Sequence, residues 1–393
     1  MEGFDKFTAE LCSRIFDSMP RSDQSRWGRL YVRGLLSVEG KKTIRNIASL
    51  VQKKQVEQNL HHFMSKSPWD WRPMRRLLAQ YVDEVMGPQA WVIEQMVIPK
   101  KGSHTVGVER GFVPQLGRIV NNQKAFGVWL ATNQDSCPVN WRLVLPPEWV
   151  TSPGRRDRAD IPDSLNSETP GVCALNAALE MAGTWDLGRR PVIVDARYGD
   201  AHRMVAEFVA RGVPFLIRIG DSIAVAATNP TGGHSQRLGP AHQFMEQLRM
   251  RRQPVEWIDA KRSVRRSLAA SLDIVLPITF DRPARRQATR LVLLAEWAGH
   301  APEPAELWLT NLADVSPGFL VRLSKLVHRV ARDFSRVCTR VGIQDFEGRS
   351  FKGWHRHATL ASVAHAVAMT AMADRRGSRT GMQQHTHSHR LIA

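Results

Sequence analysis

Two acidic residues at the ends of apolar strands are the first candidates for chemistry in this chain. In WVIEQMVIPKKG, Glu94 lies in a short strand that runs into a basic, glycine-ended turn. In PVIVDARYGD, Asp195 closes a buried-type strand. Strands of this kind present acidic ligands to divalent metals in many nucleases, because hard cations take oxygen ligands. Asp195 also has a simpler reading as a turn-capping residue. Lys100 and Lys101 in the turn, with Arg110 beyond it, read equally as phosphate contacts or as a solvated turn. The four cysteines, Cys12, Cys137, Cys173 and Cys338, form no CxxC pair, which argues against a zinc site or a disulfide framework.

Strands and helices must bring these residues together. Up to residue 88 the apolar spacing is helical, with basic residues interleaved through KKTIRNIASLVQKKQ; Lys41, Lys42 and Arg45 are the candidate DNA contacts there. Truncation before Trp91 is expected to weaken DNA affinity more than it perturbs the fold. From Trp91 the pattern changes to strands, WVIEQM, AFGVWLAT and WRLVLP. A long polar loop, TSPGRRDRADIPDSLNSETPG, follows, then helix CALNAALEMAG, strand PVIVDA, helix HRMVAEFVARG and strand PFLIRIG. That β-β-β-α-β-α-β order predicts a mixed α/β sheet at 89–221. Residues 222–310 read as a β-rich insertion, 311–372 as closing helices that complete the sheet domain, and 373–393 as a disordered polar tail whose HTHSH is at most an adventitious metal tract.

The chain has 393 residues, 55 Lys and Arg against 37 Asp and Glu, and a net charge of +18. So basic a chain points to a polyanionic partner, nucleic acid first. No apolar run reaches the ~18 residues of a membrane span and the N-terminus has no signal-peptide core, so a soluble, cytoplasmic protein with no membrane partner is expected.

The motifs IPKKGSHTVGVERGF, GRIVNNQKAFGVWL, WRLVLPPEW, VDARYGD and GIQDFEGRSFKGWHRHATLA fall in order between about residues 25 and 370. Together they resemble the bacterial insertion-sequence transposases of the DDE class, in their IS-seven-oh-one-like branch. The resemblance implies an RNase H-like fold interrupted by a β insertion, and three carboxylates holding two divalent metals. The first acid falls on Glu94, followed by Gln95 and Met96 in place of an Asp-Asp-Thr motif. The second falls on Asp195. The third belongs to a helix motif of Tyr, Arg, Glu and Lys, and here those places hold Ser324, Val327, Ala331 and Cys338.

A neighbour is a poor substitute for the missing third acid. Asp333 lies about 200° round the helix from Ala331. His328 shares the face of Ala331 but offers nitrogen, which suits Mg²⁺ badly. Glu94 is one methylene longer than Asp, a displacement of roughly 1.5 Å that can cost ~10²-fold in rate.

The leading expectation is therefore a transposase-derived, domesticated DNA-binding protein with nuclease and strand-transfer activity lost or strongly impaired. It would require no cofactor and hold Mg²⁺ or Mn²⁺ weakly, if at all, at Asp195 and Glu94; its oligomeric state, homodimer included, is left open. One alternative is an enzyme recruited to small-molecule chemistry, with Gln95, Met96, His328 and Cys338 lining a mixed pocket, although Cys338 reads more simply as buried. The other is an active transposase with an unorthodox triad.

Overall fold

The computed structural model describes residues 2–51, 54–197, 199–227, 237–259, 261, 263–276 and 290–388. Five helices come first: α1 (Glu2–Phe16), α2 (Ser22–Ser37), α3 (Ile44–Ser49), α4 (Lys54–Ser65) and α5 (Trp71–Met86). Thr43 and Asp70 cap α3 and α5 by accepting from the backbone N–H groups of Asn46 and Arg72. Gly87 ends α5 in the left-handed conformation, φ 54°.

The chain then forms β1 (Ala90–Pro99), β2 (Val108–Val113), β3 (Arg118–Ala131) and β4 (Ser136–Leu143). Two short helices, α6 (Pro147–Thr151) and α7 (Pro153–Ala159), start on prolines within and just before the segment expected to be a loop. Next come α8 (Pro170–Thr184), β5 (Val192–Asp195), α9 (Ala201–Ala210) and β6 (Phe215–Ile219). β3 runs antiparallel to β1 and β4, while β5 lies parallel to β1 and β6 parallel to β5. The resulting order β4-β3-β1-β5-β6 is RNase H-like. β2 is an addition that pairs with the first half of β3.

The following segment extends the same sheet. It contains β7 (Ala224–Ala227), β8 (Arg237–Pro240), α10 (Ala241–Gln247), β9 (Gln253–Ile258), β10 (Val264–Val275), β11 (Leu291–Trp297) and β12 (Glu306–Thr310). β12 joins β6 antiparallel, and the sheet continues through β11, β10, β7 and β8, with β9 also on β10. Much of the two loops predicted around β7 and before β11 lies outside the described residues.

The closing helix is not continuous. α11 (Pro317–Ser324) and α12 (Leu326–Asp333) meet at Lys325, and a π-helical turn, Phe334–Cys338, follows. α13 (Phe351–Ser388) is buried nearly all round from Trp354 to Val367. Its backbone stays helical to Ser388 where a disordered tail is predicted from 373, and no proline interrupts it; residues 389–393 lie outside the described residues.

The N-terminal helices share one hydrophobic core with the sheet and α13. Arg356 of α13, 2% exposed, donates to the carbonyls of Met64 at 3.0 Å and Trp69 at 2.8 Å and to that of Ser67. Tyr31 of α2 bonds His357 at 2.9 Å. Truncation before Trp91 would strip the cover from this core, so it is expected to perturb the fold as well as any DNA affinity.

Candidate metal centre and its internal cations

Strand pairing places the two acids side by side. Ile93 of β1 sits opposite Val194 of β5, so Glu94 and Asp195, the next residues along, share one face of the sheet. Arg218 of β6 is opposite Asp195 and adds a cation to the row. Both Asp195 oxygens are engaged: Arg197 Nε lies 3.0 Å from each, Arg197 Nη2 is 2.8 Å from Oδ2, and Arg218 Nη1 is 3.7 Å from Oδ2. Arg218 Nη2 also reaches Glu306 of β12 at 3.2 Å. Glu306 in turn meets Lys325 at 3.1 Å, and Lys325 donates to Glu296 of β11 at 2.5 Å. Since Glu296 and Glu306 are cross-strand neighbours, Lys325 relieves their repulsion. Burial raises the Glu306 carboxyl, but Lys325 and Arg218 outweigh it and hold its pKa below the ordinary value.

Among the described residues, Glu94 has no such cation. Burial, reinforced by the charge of Asp195, raises its pKa to about 7. Between its unfolded value near 4.5 and about 7 the folded state holds a proton that the unfolded chain releases, so Glu94 lowers stability as pH rises through that window. Glu94→Gln is accordingly expected to leave stability nearly unchanged at pH 4 and raise it at pH 8, by on the order of 2 kcal/mol. Urea unfolding at the two pH values checks this; an equal effect at both would exclude a raised Glu94.

The third position carries no acid. Ala331 is exposed on α12, which packs against β1, β3 and β4. Asp333 points elsewhere: its Oδ2 accepts from the N–H and hydroxyl of Ser136, 2.9 Å each. The π turn rotates the helix after Asp333, so Cys338, seven residues after Ala331, is wholly buried rather than on the Ala331 face. Burial, with Cys137 alongside, pushes its thiol well above the usual range, and a buried neutral thiol is inert. Ser324 is also buried and donates to Val321 O, while Val327 packs against the core.

The two acids do not fit a two-metal centre. The third-acid position is Ala331, and the Asp195 carboxylate is already paired with two guanidinium groups. Among the described residues, no group of three or more His, Cys, Asp or Glu could hold a metal ion.

Gln95, Met96, His328 and Cys338 do not line one pocket. Gln95 is exposed on the opposite face from Glu94, as strand alternation requires, and Met96 is 1% exposed. His328 lies at the helix surface with its ring 6.2 Å from Trp257. Partial desolvation, then the charges of Lys325 and Arg218, lower its pKa.

Of the predicted phosphate contacts, three converge on the segment 342–347. Lys100 Nζ donates to Phe346 O at 2.9 Å, Lys41 pairs with Glu347, and the Lys42 backbone donates to Asp345 at 2.8 Å. Lys42 is only 7% exposed, packed against the turn at Gly342, and is thereby withdrawn from any polyanion. Burial and the nearby Lys41 lower the Lys100 pKa to about 8. Arg45, Lys101 and Arg110 are exposed. Arg218, Glu306 and Lys325 escaped the sequence reading, although single charges in PFLIRIG and ELWLTNL, strands otherwise apolar, signal buried pairing.

No helix among the described residues is long and apolar enough to cross a membrane. A family model described as DDE superfamily endonuclease matches residues 14–274. A protein of Microchaete diplosiphon named as a probable transposase for insertion sequence element IS701 is 34% identical over 201 residues, 50% of this chain and 49% of that protein. The chain thus spans about half the length of the curated relative it matches. With the RNase H-like strand order, the acids at Glu94 and Asp195 and a family match over more than half its length, the chain belongs to the DDE superfamily endonucleases.

Proposed function

We propose that this protein is a transposase-derived DNA-binding protein in which two-metal cleavage is lost or strongly impaired. The observation that carries the reading is the state of Asp195, whose two oxygens are held by Arg197 and Arg218 while the third-acid position is Ala331. Removing metal ligands leaves the phosphate-contacting surface intact, because DNA affinity depends on cations facing the duplex. The net charge of +18 supplies an excess of these, and Arg45, Lys101 and Arg110 are exposed to make such contacts.

Binding to a labelled duplex should fall steeply, by ~10³-fold or more, between 50 and 200 mM salt if about six phosphates are contacted. Supercoiled plasmid should stay intact in Mn²⁺. Absence of binding at low salt would remove the DNA-binding part of the reading, and metal-dependent nicking would remove the loss of chemistry.

A further inference from the structure

Away from Asp195, a cavity of about 290 Å³ opens between the β9–β10 hairpin and the α11–α12 helices. Its helix wall carries Arg322, Lys325 and Arg329, and its hairpin wall Trp257, Ile258 and Val264. We propose that it binds a small organic acid with an apolar body, a site that goes beyond the reading of the protein as a DNA binder.

The three cations of its helix wall differ in how far the protein already pairs them. Arg329 is 8% exposed and already engaged: its Nη2 donates to Asn133 O at 3.0 Å and its Nη1 lies 3.8 Å from Asp333 Oδ1. Arg322 is exposed and makes no ion pair among the described residues. Lys325 is spent on Glu296 and Glu306 and covers the Trp257 ring, 5.1 Å from its centre. The cavity's acids are also engaged, Glu256 by Arg266 and Asp259 by Arg265. A carboxylate, sulfonate or phosphate would pair with Arg322, which supplies the free charge.

The other half of the cavity is apolar. Ile258 and Val264 are cross-strand partners, each 65% exposed, an unusual state for two β-branched residues side by side. The hairpin that presents them is fixed by Asp259, whose side chain accepts from Lys261 N at 2.8 Å and Ser263 N at 2.9 Å. An acid with an aromatic or alkyl body would cover both residues; a phosphodiester backbone would leave them wet. The volume suits a ligand at the small end of the usual range of roughly 300–1,000 Å³.

The test uses the full chain and the fluorescent sulfonate 8-anilinonaphthalene-1-sulfonate. Saturable binding at one site is expected. Arg322→Ala should weaken it about tenfold, Arg322→Lys much less, and Ile258→Asp at least about tenfold. Both side chains are exposed, so the three variants should keep the parent's circular dichroism. Phenyl phosphate should compete for the dye, and a short duplex DNA should not. Binding unchanged in both Arg322→Ala and Ile258→Asp would place the dye elsewhere and overturn the proposal. Displacement of the dye by duplex, with equal loss of DNA affinity in Arg322→Ala, would make the wall a DNA contact and overturn it too.

Discussion

Arg75→Ala is expected to destabilise the protein by roughly 3–5 kcal/mol, the cost of leaving several buried acceptors without a donor and opening a cavity beside them. Arg75 lies on α5 and is 2% exposed. Its guanidinium donates to Thr359 Oγ1 at 2.7 Å, Asn140 Oδ1 at 3.2 Å, Trp141 O at 2.6 Å and His355 O at 3.0 Å, and also meets His355 Nδ1 at 3.2 Å. One side chain therefore joins the N-terminal helices, β4 and α13. Burial draws its pKa down to about 9, opposed by Glu180, so it remains charged at neutral pH. The same burial, with Arg75 alongside, keeps His355 neutral, stacked 4.8 Å from Trp71. Alanine would leave these acceptors without a donor and open a cavity beside them. Arg76, the next residue, is an exposed control whose alanine variant should change stability by less than about 0.5 kcal/mol. Urea titration of both variants compares them; a loss below about 1 kcal/mol for Arg75→Ala would mean that water replaces the guanidinium.

The cluster also shows why the sequence was readable at the level of strands but not of contacts. The short apolar, β-branched runs around Glu94 and before Asp195 fixed which elements carry the acids, and the RNase H-like order then follows from strand succession. The partners of those acids depend on long-range closure. Arg218 meets Glu306 only because β12, beyond the whole β7–β11 segment, returns to pair with β6. Lys42 looks like a surface cation in KKTIRN, and its burial comes from a turn some three hundred residues away in sequence. The π turn after α12 has no sequence signature to set against the heptad-like spacing of Ala331 and Cys338. Local pattern specifies an element and its face, while the ionisation and availability of a side chain depend on neighbours brought by topology.

Restoring the acids should restore metal affinity in graded steps. Glu94→Asp with Ala331→Glu supplies the carboxylates that the family resemblance assigns to those places, beside Asp195. Calorimetry with Mn²⁺ should detect binding in this double variant and none in the parent, because divalent ions need several oxygen ligands with net negative charge. Arg197 from 2.8 Å and Arg218 from 3.7 Å would still compete for Asp195. Adding Arg218→Gln removes that cation while Lys325 continues to neutralise Glu306, so the triple variant should bind about tenfold more tightly than the double, the equivalent of one ion pair no longer displaced. Cleavage need not return with the metal: Val327 and Cys338 stand at the Arg and Lys positions of the family motif, and Cys338 is sealed in the core. Equal affinity in the double and triple variants would show that Arg218 does not hold Asp195 against a metal. Absent binding in all three would mean that Ala331 does not face Asp195, and the assignment of the third position would have to move along α12.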